Sequence, residues 1–357
     1  MSKYNPVLSG KLQQPLTPLA KAELIQHLWC NQGTIGTLQH DSHWEAYFSY
    51  YSRECIAALM DEGIYVAART HGDVLKAARL LEDGSTLEEV TEQLRGDLKH
   101  TNFSSDQDRM IDGTIKLVVR LFAMINIGAL PMEASGRFSL PWIRGSLQDA
   151  VKDFFAMPPE LDFDPKYSVF GADITCRNIE RMSGIDVVPT NNLADHLRLS
   201  HGDRKVCVFH HVSFLRRAKA SQSLFPSGLI EETLDTIMLL FPDNDQKSRR
   251  WLENDFQNNT QSIVIDRSVT NVGHFKAGHP SRRLERYHFW RDRLGALAEA
   301  IDDATPPSRA ILKALKDRKK GDRWLNSWVA TVAICLTLFF GLVQSIEGAI
   351  QVYQALH

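Results

Sequence analysis

"SWVATVAICLTLFFGLVQSIEGAIQVYQALH", residues 327–357, contains one acidic residue, Glu347, and no lysine or arginine. Such a stretch either crosses a lipid bilayer or forms the buried last helix of a globular domain. Extended back to Trp324, the run to Ile346 is 23 residues whose only ionisable side chain is the Cys335 thiol. About 20 apolar residues span a bilayer core as a helix. Eleven of the 23 are Leu, Ile, Val or Phe. At roughly −0.3 to −0.6 kcal/mol each they favour insertion by about 3 to 6 kcal/mol, before Asn326, Gln344 and the small polar residues offset part of it. Upstream, "RAILKALKDRKKGDR" (309–323) carries seven Lys or Arg, and none follows the span. By the positive-inside rule this asymmetry places the N-terminal body in the cytosol. Trp324 and Trp328 at one edge and Tyr353 beyond the other stand where interfacial anchors stand. A last helix packed on a globular α-domain would leave the basic run before it, and the lack of a polar face in its first 20 residues, unexplained. The sequence therefore predicts a transmembrane helix over 324–346 with a short tail, 347–357, inserted as a tail anchor.

Within the span, Ala333, Thr337, Gly341, Ser345 and Ala349 recur every four residues. Residues four apart share one helix face, and small-residue faces of this kind let two helices approach closely in lipid. The expected partners are thus the bilayer itself, a second copy of the chain through this ridge, and a protein bound by the body.

Outside the span the chain has the composition of a globular protein, with 43% hydrophobic and 24% charged residues. A formal charge of −2 gives no global footprint for nucleic acid. Five scattered cysteines without a CxxC pair fit reduced thiols rather than a disulfide framework. The opening "MSKYNPVLSGKLQQPLTPL" has no apolar core of a signal peptide.

The body reads mainly as helix. Thr17 is a candidate N-cap before Pro18, and 42–63 is a long aromatic helix. Residues 72–96 form two short helices about an Asp83-Gly84 turn, with Ser85 or Thr86 capping and Glu88 or Glu89 near the capping-box position. Residues 106–131 form the most apolar helix of the body. The proline-rich, acidic "FAMPPELDFDP" (155–165) is the candidate linker. After it, "GIDVVPT" (184–190) and "RKVCVFHH" (204–211) read as strands, with "NNLADHLRLS" (191–200) as one helix between them. That connection is long enough for a parallel crossover; a hairpin-like wing is the alternative. Helices return at 228–242, 245–256 and 280–304. In the last, Tyr287, Trp290, Leu294, Leu297 and Ile301 make one core or coiled-coil face. The expected fold is predominantly α with a small two-strand element near 184–211. Its regions are a helical 1–156, an α+β 166–304, a basic juxtamembrane 305–323, the span 324–346 and the tail 347–357.

The densest cluster of reactive side chains is Asp195, His196, His201, Cys207, His210 and His211. Asp195, His196, His210 and His211 are the candidate catalytic residues if the protein is an enzyme. Neighbouring histidines on a strand point to opposite faces, and no HExxH or paired CxxC accompanies them, so no metal site is expected. The helix-turn-helix outline at 80–94 carries Glu88, Glu89 and Glu92, which phosphates would repel, so no nucleic-acid role is expected. The five arginines of "SRRLERYHFWRDRL" (281–294) are interleaved with Glu285 and Asp292, as on a solvated face. Phosphate loops, GxGxxG and GxSxG are absent from the sequence, and no cofactor is expected.

The stretches "NLADHLRLS" (192–200), "VFHHVSFL" (208–215), "YHFWRDRL" (287–294) and "LTLFFGLVQSIEGAIQVYQA" (336–355) together resemble a large family of filamentous-fungal proteins. The resemblance runs from about residue 60 to the C-terminus. It implies a mainly helical body with one C-terminal transmembrane helix, and it implies no activity, cofactor or catalytic residue. The expected function is that of a single-pass, tail-anchored membrane protein with a cytosolic protein-interaction body. The alternative is a membrane-anchored accessory enzyme of a fungal natural-product pathway, with its site near Asp195, His196 and His210.

Overall fold

A computed structural model describes residues 6–29, 42–60, 65–98, 106–128, 136–156, 161–171, 174–221, 224–243, 245–256, 263–273, 282–304 and 321–356. The described residues form twelve α-helices and a small three-stranded sheet. Helices α1 (Pro18–Trp29), α2 (Glu45–Ala58), α3 (His71–Glu82), α4 (Leu87–Leu98), α5 (Gln107–Ala123) and α6 (Leu147–Phe155) precede the proline-rich segment. After it come α7 (Cys176–Ser183), α8 (Val212–Ser221), α9 (Leu229–Leu240), α10 (Gln246–Trp251), α11 (Arg291–Ala304) and α12 (Gly321–Leu356).

Several boundaries are fixed by local chemistry. Thr17 Oγ1 accepts a hydrogen bond from Ala20 N at the start of α1. Thr86 and Glu89 form the reciprocal capping box of α4: Glu89 N donates to Thr86 Oγ1, and Thr86 N donates to Glu89 Oε2. Gly84 holds φ at +81° in the turn between α3 and α4, a conformation that glycine adopts without a Cβ penalty. Helix α5 is the central element, with Ile111, Ile115, Leu117, Val118, Val119 and Leu121 all buried. Its Lys116 pairs with Asp112, and Arg120 pairs with Glu54 of α2, at the rim of that core.

Strands β1 (Asp186–Thr190) and β3 (Lys205–Phe209) pair in parallel from Asp186↔Lys205 to Thr190↔Phe209. The crossover thus exists, but it is not a helix. Residues 191–200 make one 3-10 turn (Leu193–Asp195) and a two-residue strand β2 (Leu199–Ser200), which pairs antiparallel with β3. The reason is competition by side chains for the backbone. Asn192 and Asp195 bind polar groups of the 124–138 segment, and Leu197, at φ +58°, turns its amide to Cys207 O. A second departure lies at 280–304. The helix begins only at Arg291, because His288 N and Trp290 N donate to the Glu232 carboxylate of α9, while Leu284–Arg286 form a 3-10 turn. Tyr287, Trp290, Leu294 and Leu297 are nonetheless buried together as core.

Side chains from both sides of the proline-rich segment meet in one hydrophobic cluster. Trp29 of α1 stacks on Trp44 and packs edge-on against Phe214 of α8, and Phe155 of α6 packs edge-on against Trp290. The long helix α12 differs from the body: its described side chains are exposed from Val332 to Leu342. Among the described residues no helix is long and apolar enough to cross a membrane. The side chains of 324–328, 330 and 331, which belong to the span expected from sequence, lie outside the described residues, as does most of the basic segment 305–323.

Candidate functional site

The cluster singled out in the sequence folds around the C-terminal end of β3. Asp195, His196, His210 and His211 each retain 1% or less of their exposure. Burial at this level makes every unpaired polar atom costly, so the hydrogen-bond partners decide what these groups can do.

Asp195 is fully committed. Its Oδ1 accepts from Phe138 N at 2.8 Å and from Arg198 Nε at 2.9 Å, and its Oδ2 accepts from Asn192 Nδ2 at 2.9 Å. Asn192 in turn donates to Phe138 O and accepts from Asn126 N, so the pair ties the 3-10 turn to the chain after α5. This carboxylate is a crosslink between segments.

His196 is also spent. Its Nδ1 accepts from Phe209 N at 3.1 Å. Its Nε2 lies 2.7 Å from Thr236 Oγ1, whose own hydroxyl donates to Thr233 O at 2.6 Å. The hydroxyl proton being used, Nε2 is the donor, and the network assigns the neutral Nε2–H tautomer. Burial, reinforced by the nearby Arg293 guanidinium, pushes its pKa down to about 3. The indole of Trp290 packs edge-on at 4.9 Å. His196 is therefore a core histidine joining the sheet to α9.

His210 and His211 do not point to opposite faces, as strand alternation predicts. Strand β3 ends at Phe209, and the two histidines occupy the turn into α8, where Val212 N bonds to His210 O. Their rings lie 4.0 Å apart at 32°. His211 Nε2 is 2.8 Å from Asn191 Oδ1 and so donates, leaving Nδ1 as an acceptor. His210 Nδ1 takes a long 3.4 Å bond from Asp266 N, which puts its proton on Nε2. Among the described residues, His210 Nε2 and His211 Nδ1 have no hydrogen-bond partner. Burial lowers both pKa values, that of His210 to about 3 with Arg53 contributing; His211 is further lowered by His210 and Arg53. The stacked pair is neutral at physiological pH. The other two sequence candidates differ in kind: His201 is exposed, and Cys207 is a buried thiol whose pKa burial raises.

Two further polar centres surround the cluster. The Asp266 carboxylate accepts from Ser213 N at 2.7 Å, Ser268 N at 2.8 Å and Ser213 Oγ at 3.2 Å, tying the first turn of α8 to a 3-10 turn at Arg267–Asn271. Ser268 Oγ lies 3.1 Å from both Ser213 Oγ and His43 Nδ1. Acid, serine and histidine are thus contiguous, but in the wrong order for nucleophilic catalysis. A triad sets histidine between acid and hydroxyl, whereas here the serines stand between Asp266 and His43. Ser268, 1% exposed, is also out of reach of a substrate. The second centre is Arg293 of α11, whose Nη1 donates at 2.7 Å to both Ala194 O and His196 O. Its guanidinium lies over the rings of Phe138 and Trp290, and burial is the main cause that lowers its pKa to about 10.

The structure thus brings the four candidates to one region, where Asp195 and His196 are each engaged by other partners and His210 packs against His211. Among the described residues no group of three or more His, Cys, Asp or Glu side chains is placed to hold a metal ion. Sequence reasoning passed over Asp266, Ser268, His43 and Arg293. The Asp-x-Ser spacing of Asp266 and Ser268 was a legible turn signal; the contacts of the other two span the chain and leave no local mark. No protein-family model matches this chain, and no curated protein and no solved structure matches it.

Proposed function

We propose that the protein is a single-pass membrane protein, held in the bilayer through α12, whose body lies on the side of the basic segment 309–323 and binds other proteins. The observation that carries this reading is the broad exposed apolar surface of α12. Val332, Ile334, Leu336, Leu338, Phe339, Phe340 and Leu342 are each 46% exposed or more. At 3.6 residues per turn these positions cover about two thirds of the helix circumference, and Ala333, Thr337 and Gly341 fill the rest. A helix that is hydrophobic on all sides belongs inside a protein core or a membrane. Its polar residues are adapted to lipid: Thr337 Oγ1 donates to Ala333 O at 2.8 Å, and Ser345 Oγ donates to Gly341 O at 2.9 Å. Both donors are satisfied within the helix, as a medium without water demands. They lie on the small-residue ridge, where a Cβ added at Gly341 would meet nothing within 4 Å. This open face is suited to a second copy of α12.

For the body, the full engagement of His196 and Asp195 favours an architectural role over acid–base chemistry. Ile56 in the last turn of α2 and Met60 just past its end are 52% and 63% exposed and offer apolar contact to a partner. The resemblance to fungal proteins with one terminal membrane helix is in keeping with this reading. Glycosylation mapping during translation into microsomes tests it. A sequon placed after Tyr353 should acquire a glycan, while the sequons at Asn102 and Asn258 should not. Glycans on Asn102 or Asn258 with none after Tyr353 would reverse the orientation and reject the proposal.

A further inference from the structure

Helices α7 and α10 enclose an open pocket of about 300 Å³, lined by Arg177, Lys247, Arg250, Trp251 and Asn254. Three of the five lining residues are cationic and none is acidic. The pocket exists because α10 is anchored from below. The Trp251 indole, 7% exposed, donates from Nε1 to Glu180 Oε2 at 2.9 Å, and Glu180 Oε1 accepts from Val187 N of β1. Tied down in this way, α10 presents Lys247 and Arg250 one turn apart toward Arg177 of α7.

Glu180 and Asp245, two carboxylates that interact with residues of the pocket, are engaged by other groups. Glu180 is committed to the indole and the β1 backbone. Asp245, electrostatically close to Arg177, caps α10 by accepting from Lys247 N, and takes the Ser248 hydroxyl at 2.6 Å. Arg177 Nη1 has only a long 3.4 Å bond to Asn178 Oδ1. The side chains of Lys247 and Arg250 have no ion-pair or hydrogen-bond partner among the described residues. Three cations that line one concave surface between two helices match the demands of a doubly charged oxyanion. Arginine supplies forked N–H donors and lysine a point charge. The aromatic edge and the aliphatic stems of the cations add an apolar wall for whatever carries the anion.

We propose that this pocket binds a phosphomonoester, with Arg177, Lys247 and Arg250 on the phosphate and Trp251 against the adjoining apolar group. The bearer is either a soluble metabolite or the headgroup of a monoester phospholipid. Both present the same dianion, so the test separates them. The full chain in detergent is titrated with phenyl phosphate and, separately, with dihexanoyl phosphatidic acid, followed by calorimetry. Saturable binding of either probe is expected, weakened at least tenfold in the exposed double variant Lys247→Gln/Arg250→Gln. The control Arg267→Gln, which removes an exposed arginine outside the pocket, should bind as the unaltered protein does. Tighter phenyl phosphate binding assigns a soluble bearer, and tighter phosphatidic acid binding assigns a lipid. Binding of neither probe, or binding that the double variant leaves unchanged, overturns the proposal.

Discussion

Gly113 lies in the middle of α5, where alanine would ordinarily stabilise the helix by about 1 kcal/mol. The structure predicts the opposite. A Cβ at position 113 would fall inside the van der Waals shell of Tyr65 O and come within 3.6 Å of Val66 Cγ2. The obstacle is backbone, and it is held in place. Ala67 N donates to Thr114 Oγ1 at 2.8 Å and to Met110 O at 3.3 Å, and Ala68 N reaches Thr114 Oγ1 at 3.4 Å. For 65–68 to retreat from the methyl group these bonds must lengthen, at about 1 kcal/mol apiece. Overpacking of a tight site costs roughly 1 to 3 kcal/mol, and here the two effects act together. Together they exceed the propensity gain, so Gly113→Ala should lose about 1 to 3 kcal/mol net in urea denaturation of the detergent-solubilised protein. Gly96 of α4 is the internal control, because an added Cβ there meets nothing within 4 Å. Gly96→Ala should gain up to about 1 kcal/mol. A Gly113→Ala protein as stable as Gly96→Ala would refute the close approach of the 65–68 segment to α5.

Three other expectations follow from the polar core and the proposed anchor. His196, His210 and His211 are held neutral in the fold, whereas in the unfolded chain they titrate near pH 6.5. Below about pH 6.5, and down to about pH 3 for His196 and His210, the unfolded state binds more protons, so stability falls as pH falls, by up to about 1.4 kcal/mol per pH unit per histidine. His196→Gln should flatten that slope in denaturation series between pH 6.5 and 4; an unchanged slope would place the titration elsewhere. Arg293→Met should cost about 2 to 4 kcal/mol, since it strips the donor from two buried carbonyls. Arg293→Lys should restore part of the loss, and equal denaturation midpoints for all three proteins would contradict the crosslink. Gly341→Leu should reduce disulfide-independent crosslinking of two copies without affecting membrane insertion, and an unchanged crosslinked fraction would reject the ridge.

What the sequence revealed was mostly local. Thr17 and the Thr86–Glu89 box announced their helices because a cap binds backbone within three residues. The two strands β1 and β3 were legible as β-branched runs, and the length between them allowed the parallel pairing but left a hairpin open. Residues 191–200 misled because their helical spacing competes with Asn192 and Asp195, whose partners lie more than 50 residues away. Likewise, the late start of α11 is imposed by Glu232, 58 residues upstream of Trp290. The candidate site was visible as composition but not as chemistry. Nothing near His196 in the chain indicates that Thr236 and Phe209 N take both ring nitrogens. The stacking of His210 on His211 depended on where a strand stops, the least determinate feature of a short apolar run.

Alkaline carbonate extraction of the membrane fraction of cells that express the full chain tests the central claim most directly. An anchor through α12 predicts that the protein stays in the pellet, and that Leu338→Arg combined with Leu342→Arg releases it, since each buried arginine costs roughly 2.5 to 3.5 kcal/mol of insertion. Recovery of the unaltered protein in the supernatant would contradict the anchor and return α12 to the role of a helix that packs against protein.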